Sequence, residues 1–217
     1  MKKKIALLMA CVMAFGVAVG GTLAWLTANT APVVNTFTDS DINITLTETD
    51  ATQGTNQLEK SFQMVPGYTI TKDPKVTVKA NSEDCWLFVK VEESTSPKLT
   101  DYINYTIADG WTKGNGTDIP ANVYYRNVTK SNADQSFGVI GYTDTKGTAE
   151  TSDDVFVADK VLVKTSVTKA DMDAIDDGAA QPTLTFTAYA VQYKNSNDGN
   201  FEAKDAWKES AGYVATP

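Results

Sequence analysis

From residue 42 the chain alternates apolar and polar side chains with a period of two. Ile42, Ile44 and Leu46 fall on one side, and Asn43, Thr45 and Thr47 on the other. A strand sends successive side chains to opposite faces, so this pattern predicts a strand buried on one face. The pattern returns at residues 85–92, where Cys85, Leu87, Val89 and Val91 share one face and Trp86 and Phe88 share the other with Lys90 and Glu92. Both faces start apolar and one turns polar, which predicts a sandwich strand whose outer face is partly covered. Residues 183–193 repeat it, with Leu184, Phe186, Ala188 and Ala190 set against threonines, Tyr189 and Val191.

Weaker β patterns occupy residues 58–65, 75–80, 102–107, 123–128, 137–142 and 155–163, with Lys160 placed at a bend or edge. Between them stand turn signals: Pro66-Gly67, the run 81–84, and the polar stretches 50–57, 109–118 and 143–153. Two segments read as helices. Thr168 with Asp171 three positions on predicts a capped helix over 168–177 that ends near Gly178. Residues 200–211 put Ala203, Ala206 and Trp207 on one face, a terminal helix sealing one end of the fold. About ten short strands without strand-helix alternation predict an all-β fold, a jelly-roll-like β-sandwich with one or two short peripheral helices.

The N-terminus has the parts of an export signal in order: Lys2, Lys3 and Lys4, an apolar run over residues 5–21, and the small-residue site Thr22-Leu23-Ala24. Cleavage after Ala24 is preferred, with Ala28 next. A retained membrane anchor is the rival, because residues 5–28 carry no charge and are long enough to span a bilayer. Gly16, Gly20 and Gly21 soften that helix and favour cleavage. A lipobox at Cys11 would leave too short an apolar run before the cysteine. The expected organisation is a signal peptide at 1–24, an N-terminal arm or first strand at 25–38, and a single β-sandwich domain at 39–217.

Losing the three lysines of the signal takes the formal charge from −8 to −11. That excess argues against DNA, RNA or anionic lipid as a partner, and Arg126 is the sole arginine. Cys85 is the one cysteine outside the signal, which precludes an internal disulfide, and its strand pattern predicts a buried thiol.

The chain contains no histidine. The usual triad base and the HExxH zinc site are therefore absent, no catalytic set is marked by a motif, and no enzyme, cofactor or metal is expected. Asp171, Asp173, Asp176 and Asp177 precede Gly178, but an EF-hand needs glycine at the position Asp176 holds. The loop 109–118 is a second, weaker cation candidate. The sequons at Asn43, Asn104, Asn115 and Asn127 read as threonine-rich strand sequence. Trp111, Tyr124 and Tyr125 are candidates for a glycan or peptide groove, against the plainer reading of core or cross-strand aromatics.

Gly20-Gly21-Thr22-Leu23-Ala24-Trp25-Leu26-Thr27 resembles the signal ending of proteins processed by SipW-type signal peptidases, a group that includes the TasA/camelysin family of Gram-positive bacteria. Residues 37–47, 65–78, 187–192 and Ala206-Trp207 extend the resemblance to about two thirds of the chain, while residues 94–170 diverge. The resemblance implies a jelly-roll domain, secretion or surface location, and assembly into fibres of the biofilm matrix by strand exchange between subunits. Camelysin-type relatives are described as metalloproteases, an activity this histidine-free chain is not expected to share. The leading expectation is a structural subunit that self-associates head to tail in contact with matrix or cell-envelope components. Its arm would use Val33, Val34 and Phe37 to fill pockets on a neighbour. The alternative is a monomeric cell-surface binding module or adhesin.

Overall fold

The computed structural model of the protein describes residues 41–49, 52–53, 58–59, 61–145, 154–176, 180–195, 199–210 and 212. Every described residue belongs to one compact unit, residues 40–217.

Along the described residues run β1 (Ile44–Thr47), β2 (Thr52–Gln53), β3 (Leu58–Glu59), β4 (Thr69–Thr71), β5 (Lys75–Val78) and β6 (Cys85–Glu93). Then come α1 (Leu99–Tyr102), β7 (Ile103–Asn104), β8 (Thr106–Ile107), β9 (Thr112–Lys113), β10 (Val123–Val128), β11 (Gln135–Gly138) and β12 (Ile140–Asp144). The chain continues through β13 (Val155–Ala158), β14 (Lys160–Val163), α2 (Lys169–Asp176), β15 (Leu184–Gln192) and α3 (Ala203–Glu209). Strands β15, β6, β10 and β9 form a four-stranded sheet in that order. The orders β1-β5-β11, β13-β12-β8 and β4-β14-β7 make three-stranded sheets, and β2 pairs with β3. All pairings are antiparallel.

Strand β6 organises the interior through both its faces. Cys85, Leu87 and Val89 are fully buried in a core that also receives Val76 of β5, Ile140 of β12 and Val163 of β14. Phe88, on the opposite face, is equally buried in a second cluster with Ile119, Val123, Ala206 and Trp207. Burying side chains of this size contributes roughly 1.5–3 kcal/mol each, so both faces of β6 carry stability. Helix α3 therefore covers the outer face of the four-stranded sheet and does not seal an end. Trp86 Nε1 donates to the Phe201 carbonyl at 2.8 Å and ties the segment before α3 to the same face.

Local patterning located the strong strands and missed their corners. Residues 102–107 divide into β7, which pairs with β14, and β8, which pairs with β12. Residues 137–142 divide at Val139, whose N–H donates to Pro74 O at 3.0 Å and whose carbonyl accepts from Ala108 N at 2.9 Å. Residues 155–163 bend at Asp159, with φ 61°, and not at Lys160. At each corner the chain changes sheets, and a period of two is blind to which neighbour a strand will pair with.

Three smaller differences share that cause. The stretch 109–118 holds β9, which pairs with β10, and the stretch 50–57 holds β2. Of residues 58–65, only β3 enters a ladder, although burial still alternates at Phe62 and Met64. Helix α2 forms behind a reciprocal cap. Thr168 N donates to Asp171 Oδ2 at 2.8 Å, and Asp171 N donates to Thr168 Oγ1 at 3.3 Å. Helix α1, a single turn, has no period to read.

Candidate functional site

Among the described residues, the most distinctive backbone feature is the side of β15 that faces away from β6. Ser94 N donates to Thr183 O at 3.0 Å just before the strand, and Tyr193 N donates to Asp84 O at 2.8 Å just after it. In the antiparallel register between them, Thr183, Thr185, Thr187, Tyr189, Val191 and Tyr193 turn their N–H and C=O groups toward β6. Leu184, Phe186, Ala188, Ala190 and Gln192 turn theirs away. Among the described residues no strand pairs with that side. A row of outward donors and acceptors on a nine-residue strand is a template for another chain.

The side chains beside this edge are incompletely covered. Leu184, Phe186, Ala188 and Ala190 face the main core yet are only half-buried, as are Ile42, Ile44 and Leu46 in and before β1. Among the described residues strand β1 is likewise the end strand of its sheet, and it approaches β15 closely. Two open-sided strands thus border one another over an apolar seam. At Phe186 the seam meets an ion pair: Lys72 Nζ lies 2.9 Å from Glu48 Oε2, with side chains 11% and 13% exposed. The same ammonium sits 5.4 Å from the Phe186 ring centroid and 5.2 Å from that of Phe62. Removing one partner of a pair this buried is costly, so the pair fixes the segments after β1 and β4 against β15.

The predicted arm residues Val33, Val34 and Phe37 lie outside the described residues, as do both cleavage sites, Ala24 and Ala28. The predicted groove aromatics do not converge on one groove. Tyr124 lies opposite Val89 and Tyr125 opposite Phe88, so the two tyrosines face opposite sides of the sheet. Tyr125 packs edge-on to Trp86 with ring centroids 5.9 Å apart. Trp111 donates from Nε1 to Gly138 O at 2.9 Å. Its ring and that of Phe137 lie 5.5 and 3.9 Å from the Arg126 guanidinium, which burial pushes below the usual arginine range.

Of the acidic residues after Thr168, Asp171 is engaged in the helix cap and Asp173 pairs with Lys169 at 2.6 Å. Asp177 and Gly178 lie outside the described residues. In the 109–118 loop, Asn115 Oδ1 accepts from the N–H groups of Thr117, Asp118 and Ile119 at 2.9, 2.8 and 3.2 Å. The side chain thus closes the loop on itself. Among the described residues no group of three or more His, Cys, Asp or Glu side chains is placed to hold a metal, and no helix is long and apolar enough to cross a membrane. Cys85 is fully buried, as its pattern predicts.

Sequence reasoning singled out none of the edge geometry. The alternation at residues 183–193 reported a half-buried strand, but an end strand and an inner one share that pattern. No family model, curated protein or solved structure matches the chain.

Proposed function

We propose that the protein is a secreted structural subunit of extracellular matrix or surface fibres, with a jelly-roll-like β-sandwich that assembles by strand addition. The observation that carries this reading is the outward ladder side of β15, set over half-buried apolar side chains of β15 and β1. An extended segment from a second copy would satisfy those donors and acceptors. Its alternate side chains would cover Leu184, Phe186 and Ala188. The segment 25–38 supplies Val33, Val34 and Phe37 for that purpose, and its place before the described domain suits a donor arm. Because donor and acceptor are different surfaces, the contact is head to tail and grows an open filament.

The resemblance to TasA/camelysin proteins supports the same reading, with a SipW-type peptidase freeing the arm and matrix or envelope components as the surroundings. Electron microscopy and gel filtration of the protein beginning at residue 25, beside a version beginning at residue 39, test it. Filaments from the first and monomers from the second are expected. Monomers from both under assembly conditions would overturn the reading.

A further inference from the structure

A cleft of about 260 Å³ lies away from the free side of β15, lined by Glu93, Thr100, Asn104, Tyr105, Tyr124 and Lys164 over Ile103 and Ile107. Its walls come from the end of β6, from α1, β7, β8 and β10, and from the residue after β14. Residues far apart in the chain are thus gathered at one opening.

The charges in this cleft are not spent on each other. The Tyr105 hydroxyl donates to Glu93 Oε1, and Lys164 Nζ donates to the Thr100 carbonyl. No salt bridge joins Glu93 or Lys164 to another side chain among the described residues. Each charge is anchored by a neutral partner, which orients it and leaves hydrogen-bonding capacity free: lone pairs on Glu93 and further N–H bonds on Lys164. Asn104, exposed in β7, adds an amide that both donates and accepts. Burial, reinforced by Glu93, holds the Tyr105 and Tyr124 phenols above their usual range, so they stay neutral, each with an apolar ring face.

These features select a ligand class. The cleft carries one charge of each sign within a protein of net charge −8, so a polyanion gains little and is repelled at longer range. A purely apolar ligand would leave the free hydrogen-bonding capacity of Glu93, Lys164 and Asn104 unused. A saturated ring bearing adjacent hydroxyls meets every demand. Each hydroxyl donates to a carboxylate or amide oxygen and accepts from an ammonium or amide, while ring C–H groups lie on a phenol. The volume sits just under the usual range of small-molecule pockets, about 300–1,000 Å³, which suits one ring and not an extended chain. We infer that this cleft binds a single neutral sugar residue, presented as an end or branch of a polysaccharide.

Saturation-transfer NMR tests this with methyl glycosides of glucose, galactose and N-acetylglucosamine at up to about 50 mM, a range that captures weak single-residue binding. Native electrophoresis through gels holding either a neutral glucan or galactan, or polygalacturonate, tests the charge preference. At least one neutral glycoside is expected to bind, with no retardation by polygalacturonate. Glu93→Ala and Asn104→Ala should each weaken binding at least tenfold, while Lys79→Ala, which touches only the exposed Asp134 pair, should leave it unchanged. If Glu93→Ala misfolds, the exposed Asn104→Ala still carries the test. Three results would overturn the inference: no binding of any neutral glycoside, preference for polygalacturonate, or undiminished binding by the folded cleft variants.

Discussion

Phe88 and Trp207 meet with ring centroids 5.3 Å apart and planes inclined at 55°, and through this contact α3 covers the outer face of β6. Trp207 is 2% exposed and also meets Tyr189 edge-on at 5.8 Å. Replacing it with alanine removes the centre of the second cluster and leaves a cavity against β6 and β15. Trp207→Ala should cost about 3–5 kcal/mol in urea denaturation. A cost below about 1 kcal/mol would mean that α3 is not an integral layer of the domain.

The two kinds of position in β15 should respond oppositely to proline. Ala188 directs its N–H away from β6 and Thr187 directs its N–H toward it. Proline is tolerated on an end strand only where its missing donor faces outward. Ala188→Pro is expected to leave a folded monomer that no longer accepts a strand and forms no filaments by electron microscopy. Thr187→Pro should lower the unfolding temperature sharply, because it breaks the ladder to β6. Normal filaments from Ala188→Pro would exclude this edge as the acceptor.

Burial first, and the Asp84 carboxylate second, push the Cys85 thiol from 9.0 up to about 11. The unfolded chain releases this proton near pH 9 and the folded chain holds it until about pH 11. The folded state binds more protons in that window, so the contribution is complete below pH 9 and is lost as pH rises toward 11. It amounts to about 3 kcal/mol. Tyr105 and Tyr124, raised chiefly by burial, add losses of the same sign from about pH 10 upward. Cys85→Ala should flatten the fall in stability just above pH 9, measured by urea titrations across the range. An unchanged slope would show that the thiol does not hold its proton in the folded state.

Gly141 permits the close approach of β12 and β13. A Cβ there would lie 2.3 Å from the Val157 carbonyl oxygen and 2.5 Å from the Phe156 ring. A backbone atom cannot move aside without breaking the ladder, so Gly141→Ala should destabilise the domain by about 1–3 kcal/mol or more. Gly138→Ala is the comparison, since its Cβ would meet only Asp159 Oδ1, at an ordinary 3.5 Å. Thermal unfolding of the two variants should separate them clearly. Equal behaviour would show that the two strands can part without cost.

How far the fold was legible follows from what each signal measures. The alternations at 42–47, 85–92 and 183–193 became β1, β6 and β15 because the direction of a strand side chain is a local property. The Thr168–Asp171 cap was readable for the same reason, as its hydrogen bonds close within three residues. Asp159 and Val139, where the chain turns from one sheet to another, gave no comparable sign. Their hydrogen bonds run to Ile140, Lys72, Pro74 and Ala108, partners that proximity in sequence does not supply.

The same division applies to the sites. Glu93, Tyr105, Tyr124 and Lys164 are ordinary residues in their own segments and become a cleft only when β6, β8, β10 and β14 are brought together. Tyr124 and Tyr125 suggested one groove because they are neighbours, yet neighbours in a strand face opposite ways. The sequence alone determined a strand-rich domain with Cys85 buried and an outer face partly covered, since these depend on residue type and local period. Only the tertiary structure decided that, among the described residues, β15 stands at a sheet edge and opposite charges share a cleft without pairing, because both depend on which distant segments the chain places next to one another.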